Sequence, residues 1–427
     1  MTTDLPTRCP FGAGWDLTDP ALLENGMPHA EFAQMRQTRR IFWIDQDPEV
    51  GPFRDSGYWV VTRHADIRAI SKNSVDFSSN TQGAVMRLPD MMTPELLEYT
   101  KAMLINHDPP EHTRLRKVVS RLFTPRAVNA LHEVLDARAR EIVSAAIAGG
   151  TGNFVDDVAV DLPLSAIADL IGVPAEDREK LFTWTNAVMN TDDPDYGDMD
   201  AAEANAQLLG YAYAMAEDRR KNPAEDIITT LVNADVDGEA LDEAEFGFFV
   251  ILIAVAGNET TRNAITHGMN AFLDHPEQWE LFKRERPATA ADEVIRWATP
   301  VHCFQRTAIN DVTLGDVTVR AGERVGMFYS SANFDPEVFD DPRTFDITRN
   351  PNPHLAFGGS GAHYCVGANL ARMEVDIMFN AIADLAPDIM FNAIADLAPD
   401  ITKLADPTRL RSGWINGVKA LQVDYRG

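Results

Sequence analysis

The chain has 427 residues, of which 45% are hydrophobic and 24% are charged, so it can bury a large core and fold as one big domain or two. Its formal net charge of −27 at pH 7 comes from 65 acidic and 38 basic residues. That balance argues against a nucleic-acid partner, because phosphate groups would be repelled. The three cysteines form no CxxC pair, which argues against a disulfide framework and against zinc or iron–sulfur ligation.

The amino-terminal sequence, Met1-Thr-Thr-Asp-Leu-Pro-Thr-Arg-Cys9, lacks the basic and apolar regions of a signal peptide. We find no uninterrupted run of about 18 apolar residues, the length that a membrane span needs. We therefore expect a soluble, cytoplasmic protein without membrane insertion.

Turns and β-like segments come first along the chain. The stretch Gly57–Thr62 is β-branched and aromatic, which predicts a strand, and a helical pattern starts at His64. From about Asp108 to about Ala298 helical periodicity dominates, and a second β-rich portion runs from His302 to about Met327. No Pro/Ser-rich linker divides these parts. The pattern therefore predicts one domain over residues 1–427, mainly α with small β-sheets.

A histidine and an arginine occupy one face of a predicted helix in Asp108-Pro-Pro-Glu-His112-Thr-Arg-Leu-Arg116. His112 and Arg116 are four residues apart, and proline suits the first turn. Together with Arg306 and His363 they would neutralise the two carboxylates of a buried ligand, and haem carries two propionates. Taken singly, each of the four is an ordinary surface cation.

The same region is locally basic in an acidic chain. Its cations are Arg114, Arg116, Lys117, Arg121 and Arg126. Such a cluster can dock an acidic protein partner.

A long apolar helix from Asp242 acquires Gly257, Glu259 and Thr260 in its middle. Glycine costs about 1 kcal/mol relative to alanine in a helix, and a threonine can hydrogen-bond a preceding carbonyl and bend the helix. These residues suggest an opening beside a ligand, where an acid next to an alcohol suits proton delivery to bound oxygen. A helix C-terminus that leaves the core explains them equally well.

An acid and a guanidinium share a helix face in Glu293-Val-Ile-Arg296. Most such pairs are surface features worth a few tenths of a kcal/mol. Arg349 follows further along the chain, and a buried network of Glu293, Arg296 and Arg349 would lock the loop that carries Cys365. Arg343 is a less favoured further member.

The glycine-rich loop Phe357-Gly-Gly-Ser-Gly-Ala-His-Tyr-Cys365-Val-Gly367 delivers one cysteine just before an apolar, helix-like run. Glycines let the backbone approach a flat ligand, and the start of a helix favours thiolate over thiol. Thiolate is the form that binds iron. In isolation Cys365 is more simply a buried cysteine on a turn; beside the other motifs, the loop predicts a haem-thiolate site.

A twelve-residue segment occurs twice in direct succession, as 377–388 and 389–400, without a single change. Solenoid repeats are longer, recur more often and are imperfect. Twelve residues at about 100° each leave the second copy about 120° out of helical phase, and Pro387 interrupts a continuous helix. We therefore predict that one copy packs in the helix after the cysteine loop, while the other is looped out or forms an added turn.

The motifs resemble, in order, those of the cytochrome P-450 superfamily of haem-thiolate monooxygenases. The matching segments are Asp108–Arg116, Ala256–Thr261, Glu293–Arg296 and the cysteine loop. The resemblance covers most of the chain and implies a mainly α P-450 fold, with heme b (iron protoporphyrin IX) between the long central helix and the cysteine-loop helix.

The resemblance also implies roles for single residues. Cys365 would be the axial iron ligand, with Phe357 and Gly367 beside the haem. Glu259 and Thr260 would form the proton relay that serves dioxygen cleavage. The propionates would be bound by His112, Arg116, Arg306 and His363.

Three features are similar to the actinobacterial steroid side-chain hydroxylases. They are the Phe357–Cys365 spacing of eight positions instead of the commoner seven, the segment Thr299–Arg306 and the segment Ser412–Gly417. The similarity implies that Trp414, and with less support Val255, line the substrate channel. It also implies hydroxylation of the terminal methyl of a sterol side chain, such as that of cholesterol or cholest-4-en-3-one.

The reaction so implied uses O2 and electrons from a ferredoxin and an NAD(P)H-dependent ferredoxin reductase. Two alternatives remain at this point. The same chemistry can act on a fatty acid, terpenoid or polyketide. A haem-thiolate sensor or electron carrier is the second alternative, although such a protein has no use for the Glu259–Thr260 pair.

Overall fold

The computed structural model describes residues 9–12, 14–49, 52–88, 93–196, 199–236, 239–385 and 401–426. Helices dominate this part of the chain, as the sequence pattern predicts. The α-helices are α1 (Pro20–Glu24), α2 (His29–Thr38), α3 (His64–Lys72), α4 (Pro94–Thr100), α5 (Glu111–Leu122), α6 (Pro125–Asn129), α7 (His132–Gly149), α8 (Asp161–Ile171), α9 (Arg178–Met189), α10 (Ala201–Lys221), α11 (Ile227–Val232), α12 (Glu243–Asp274), α13 (Pro276–Glu285), α14 (Ala290–Ala298), α15 (Tyr329–Ala332) and α16 (Ala368–Leu385).

The strands are short and are spread along the chain. They are β1 (Ile41–Asp45), β2 (Gly57–Val61), β3 (Phe77–Ser78), β4 (Thr151–Asn153), β5 (Asp235–Val236), β6 (Glu239–Ala240), β7 (Cys303–Ala308), β8 (Val312–Leu314), β9 (Val317–Val319), β10 (Arg324–Phe328), β11 (Thr402–Lys403), β12 (Thr408–Arg409), β13 (Val418–Ala420) and β14 (Gln422–Asp424).

The largest sheet has the strand order β1-β2-β10-β7-β3. The predicted strand at 57–62 is β2, every residue of which is buried, and the predicted helix at His64 is α3. The predicted β-rich portion supplies β7 to β10. Strands β2 and β10 run parallel, with Tyr58 opposite Arg324, so the sheet joins the amino-terminal part of the chain to the segment after α14.

Two regions differ from the sequence prediction. Helices α1 and α2 precede the first strand, where turns and β-like segments are expected. The last described residues form β11 to β14, and β14 lies between β11 and β4 in a second sheet. The largest core cluster draws residues from Leu104 to Tyr425.

Helix α12 runs without interruption through Gly257, Glu259 and Thr260. It starts at a capping box in which Asp242 and Glu245 bond each other's backbone amides. The alternative that the helix ends at these residues is therefore wrong. By length and composition alone α12 is able to cross a membrane, but most of it is buried among α8, α9, α14 and α16.

The first copy of the duplicated segment continues α16. Ile377, Met378 and Phe379 of this copy are buried in the core. The second copy belongs to residues 386–400, which lie outside the described residues, and its placement stays a prediction. The chain re-enters the core at Ile401, which is buried.

Candidate active site

A cavity separates the middle of α12 from the loop that precedes α16. Ala256, Gly257 and Thr260 line it on the helix side, and Phe357 and Cys365 line it on the loop side. A Cβ added at Gly257 would lie 2.4 Å from the Ile167 side chain, so the glycine lets α8 pack close to α12. The rest of the wall is largely apolar and includes Leu104, Ile105, Val119, Leu252, Ile253, Val301 and Phe304.

The backbone of the cysteine loop adopts conformations that residues other than glycine rarely adopt. Gly358 and Gly361 have φ angles of +97° and +100°. A Cβ added at Gly361 would lie 2.4 Å from the Ser71 carbonyl oxygen at the end of α3. The amide of Cys365 donates to the carbonyl of Phe357 at 3.0 Å and closes the loop. These contacts hold the thiol at the cavity wall.

The side chain of Cys365 is open to the cavity and enclosed by protein elsewhere. Burial raises the pKa of this thiol, while a backbone hydrogen bond from Gly367 and the charges of Arg116 and Arg372 act to lower it. Burial therefore outweighs the start of α16, and the helix terminus alone does not make Cys365 a thiolate.

The four predicted cations come together at one edge of the cavity: His112, Arg116, Arg306 and His363 all line it. The two imidazole centroids are 4.2 Å apart. Arg306 is buried, and its guanidinium donates to the Gln305 carbonyl at 2.7 Å; no carboxylate pairs with it among the residues that the structure describes. Burial and the neighbouring arginines lower the pKa of His112 to about 4 and that of His363 to about 2.

This arrangement fits haem. A buried arginine without a counter-ion is unfavourable unless an anion joins it, and the Nε2 atom of His112 is buried without a partner. A flat apolar ligand with two carboxylates would fill the cavity, satisfy these groups and present its iron to Cys365. The described residues contain no cluster of three or more His, Cys, Asp or Glu side chains able to hold a bare metal ion.

The predicted relay residues point in different directions. The hydroxyl of Thr260 donates to the Ala256 carbonyl at 2.8 Å and lies at the cavity. Glu259 is buried behind it and does not line the cavity. Its carboxylate accepts hydrogen bonds from Arg262 and, at 2.8 Å, from Asn263. Adjacent residues of a helix lie about 100° apart around its axis, which explains the separation.

The two predicted substrate-channel residues are set back from the cavity wall. Val255 is buried, but its neighbours Ile253 and Ala256 face the cavity in its place. The half-buried Trp414 lies behind the wall residue Phe304, with ring centroids 6.3 Å apart. Trp414 therefore packs against a side chain of the cavity wall.

The Glu293–Arg296–Arg349 network is present and buried. Arg296 donates to both carboxylate oxygens of Glu293, at 2.7 and 2.8 Å, and Arg349 Nε approaches Glu293 Oε2 to 3.2 Å. Arg343 does not join it; its guanidinium lies over the Phe334 ring, 5.6 Å from the centroid.

The network also reaches the start of the cysteine loop. Arg296 donates to the Asn333 carbonyl at 2.7 Å, and the Asn333 side chain accepts from the Leu355 amide at 2.6 Å. Two residues later the chain enters the loop at Phe357. A buried ion pair on α14 thus fixes the backbone that leads to Cys365.

One ionisable residue of the cavity, Glu374, is not among the residues that the sequence analysis singles out. Glu374 of α16 lines the cavity, and burial raises its pKa to about 8, opposed by a hydrogen bond with Thr261. Its Oε1 atom has no hydrogen-bond partner among the described residues. The sequence does carry a signal for this residue. Glu374 lies one helical turn from both Leu370 and Met378, so an acid occupies the apolar face of a helix.

Comparison with known proteins shows which family of proteins this chain resembles. The family model for cytochrome P450 matches residues 289–383. The steroid C26-monooxygenase of Rhodococcus jostii (strain RHA1) is 55% identical to this chain over 97% of it and 85% of that protein. The protein of the same name from Mycobacterium tuberculosis (strain H37Rv) is 53% identical over 97% of this chain and 93% of its own length. The methyl-branched lipid omega-hydroxylase of that strain is 40% identical over 94% and 92%.

Solved structures share the fold. A Mycobacterium marinum cytochrome P450 in complex with pseudoionone superimposes with a TM-score of 0.86 at 34% identity, over 99% of this chain and 100% of that one. A Bacillus megaterium cytochrome P450 in complex with testosterone gives 0.78 at 29% identity, over 94% and 100%. The near full-length similarity agrees with the cysteine-centred cavity, and the chain belongs to the cytochrome P450 family.

Proposed function

We propose that this P450 monooxygenase hydroxylates the terminal methyl group of a steroid side chain, as in cholesterol or cholest-4-en-3-one. The proposal rests on the identity of 52–55% with steroid C26-monooxygenases over 97% of the chain. The apolar cavity walls support it. A steroid side chain carries no charge, and its transfer from water to an apolar cavity lowers the free energy.

The proposed cofactor is heme b. Cys365 would hold its iron, Phe357 and Gly367 would flank it, and the propionates would bind the two arginines and two histidines at the cavity edge, His112, Arg116, Arg306 and His363. When bound, haem supplies the activation of O2 for insertion into a C–H bond.

The protein's own task beside that chemistry is to manage protons. The Thr260 hydroxyl lies at the cavity and can hold and pass a proton there. Glu259 is the nearest acid along α12, and its carboxylate has to rotate away from Arg262 and Asn263 to reach Thr260. Until it rotates, the hydrogen bonds from Arg262 and Asn263 hold the acid away from the cavity.

The walls orient the substrate. Val301, Phe304 and Leu252 face the cavity, Trp414 stands behind Phe304, and Val255 stands behind the α12 surface. An apolar space suits end-on entry of a steroid side chain, which presents its terminal methyl first and excludes water.

The proposed electron donor is a ferredoxin, itself reduced by an NAD(P)H-dependent reductase. Lys117, Arg121 and Arg126 are exposed on α5 and α6, and α5 also carries the cavity residue Arg116. In a chain of net charge −27, this surface suits an acidic partner. A soluble, cytoplasmic location goes with such a partner.

The test is turnover of the haem-loaded enzyme with cholest-4-en-3-one, ferredoxin, ferredoxin reductase and NADH. We expect a substrate-induced Soret shift and a product that gains one oxygen at a terminal methyl, identified by mass spectrometry. Cys365→Ser should lose both turnover and the red-shifted Soret band of the reduced carbon monoxide complex. A retained band would contradict the ligand assignment, and a wild-type enzyme that neither shifts nor turns over would contradict the steroid.

A second candidate keeps the chemistry and changes the substrate to a methyl-branched lipid. The 40% identity to the methyl-branched lipid omega-hydroxylase favours it. Running both substrates in one competition assay separates the two, because the preferred substrate has the larger kcat/KM.

A further inference from the structure

Two adjacent acids between α9 and α10 bind the backbone of a distant loop. The carboxylate of Asp193 accepts from the Arg411 amide at 2.9 Å, and that of Asp192 accepts from the Gly413 amide at 3.1 Å. The Asp193 side chain is fully buried, and that of Asp192 is 10% exposed. Buried carboxylates that accept amide hydrogen bonds form strong, well-oriented contacts.

Each acid also has its own cation. Asp192 Oδ1 lies 3.3 Å from Arg87 Nε, and Asp193 Oδ2 lies 3.0 Å from Lys419 Nζ. Each ion pair offsets part of the free-energy cost of burying two neighbouring negative charges. Three separate parts of the chain, at Arg87, at 192–193 and at 411–419, therefore meet at these two side chains.

The bound loop is the one that carries Trp414. Gly413 is packed so closely that an added Cβ would lie 2.2 Å from the Thr18 carbonyl oxygen. The Trp414 carbonyl accepts from the His302 amide at 3.0 Å, and the next residue, Ile415, forms a β-bridge with the cavity residue Val301. The position of the Trp414 backbone therefore determines where the indole meets Phe304 at the cavity wall.

We propose that Asp192 and Asp193 are positioning residues that hold Trp414 behind the cavity wall and thereby slow substrate release. The proposal rests on the assignment of the cavity as the substrate pocket. Both hydrogen bonds join residues 192–193 to residues 411–413, directly before Trp414. Loss of either acid should therefore loosen the Trp414 backbone and let the bound substrate leave faster.

The experiment uses the haem-loaded enzyme and compares Asp192→Ala and Asp193→Ala with wild type. Asp192→Asn keeps an oxygen acceptor for the Gly413 amide and loses the charge that faces Arg87, so it should fall between Asp192→Ala and wild type. The matched control is Asp316→Asn. This change breaks the ion pair between Asp316, whose side chain is 65% exposed, and Arg39.

Four measurements are made on each variant. Hydrogen exchange measures the amides of residues 411–413. Stopped-flow recording of the Soret shift gives the dissociation rate of cholest-4-en-3-one, and steady-state assays give kcat and KM. Imidazole, which binds haem iron from the substrate side, reports access through its own Soret shift and does not depend on the steroid.

Loss of a charge-assisted hydrogen bond predicts amide exchange and steroid dissociation faster by about 10-fold or more in the alanine variants. KM should rise while kcat changes much less, and imidazole should enter faster. The control should match wild type.

Faster amide exchange with unchanged dissociation of steroid and imidazole would overturn the proposal, because the loop would then move without effect on the cavity. Unchanged exchange would overturn it as well. If the wild-type enzyme does not bind the steroid, the proposed function fails, and imidazole access together with hydrogen exchange still decides the role of the two acids. Asp192→Asn serves the same purpose if an alanine variant does not fold.

Discussion

The imidazole rings of His112 and His363 lie with their centroids 4.2 Å apart, one on α5 and one in the cysteine loop. Burial is the main reason that the pKa of each is lowered, to about 4 and about 2, and Arg116 and Arg306 add to the effect. Two neutral imidazoles beside two guanidinium groups form a site that negative charge stabilises.

This pair predicts the acid sensitivity of the protein without haem. Each histidine has a pKa in the folded state below its ordinary value of 6.5, so the unfolded chain binds protons that the folded chain does not. Stability is therefore present above pH 6.5 and is lost as the pH falls toward 4. Calorimetric Tm values across this range should fall less steeply for His363→Gln than for wild type.

The control for that series is His132→Gln, because His132 is exposed on α7. It should leave the pH dependence of Tm as it is in wild type. Equal slopes for wild type, His363→Gln and His132→Gln would contradict the assignment. Loading with haem should flatten the wild-type curve, since propionates favour protonated histidine.

Glu374 predicts the opposite pH trend. Its pKa is raised by burial from 4.5 to about 8, so its contribution to stability is fully present below pH 4.5 and is lost as the pH rises toward 8. Glu374→Gln keeps the shape and cannot ionise. The variant without haem should gain stability over wild type with rising pH, by up to about 3 kcal/mol near neutrality, measured by denaturant unfolding. A difference in stability between Glu374→Gln and wild type that does not change with pH would contradict the raised pKa of Glu374.

The buried ion pair of α14 should be essential for folding stability. Glu293→Gln leaves Arg296 and Arg349 without a carboxylate, and breaking a buried pair in this way costs about 3–5 kcal/mol. The comparison is Asp311→Asn, whose pair with Arg320 is exposed on both sides and should cost less than about 1 kcal/mol. Equal losses in the free energy of unfolding would mean that the network does not hold the cysteine loop.

Local spacing explains which of these features the sequence predicts. Glu293 and Arg296 meet because residues three apart share a helix face. The cations of the cavity edge are predicted together because one ligand explains them all. Val255 is misplaced by a single residue, because one step along a helix turns the side chain by about 100° and brings Ala256 to the cavity.

Long-range contacts explain most of what the sequence does not show. Trp414 owes its position to Asp192, Gly413 and Phe304, and such contacts leave no local pattern. The strands at the carboxyl end have two or three residues each, too few for an alternating pattern to be recognised. Helix α1 has five residues and is equally short of a periodic signal.

Removal of one copy of the duplicated segment should leave the enzyme active. Deleting 377–388 or 389–400 produces the same sequence, so a single variant tests both. Because only one copy is predicted to pack, Tm should stay equal or rise. Haem spectrum and steroid affinity should match wild type.

A second variant shows whether the extra copy contributes packing. Replacing 389–400 by twelve Gly and Ser residues keeps the length and removes the apolar side chains. Stability equal to wild type is expected. A clear loss of stability would contradict the prediction that only one copy packs.

The sheet that contains β14 also constrains the order of assembly during synthesis. Val423 pairs with Lys403 on one side and with Gly152 on the other, so β4 has no partner until translation has passed residue 424. The loop with Trp414 lies between β12 and β13 and is completed in the same late step. The cysteine loop, Arg306 and His112 are made earlier. All residues that line the cavity, from Ser71 to Glu374, are therefore synthesised before the second sheet can form.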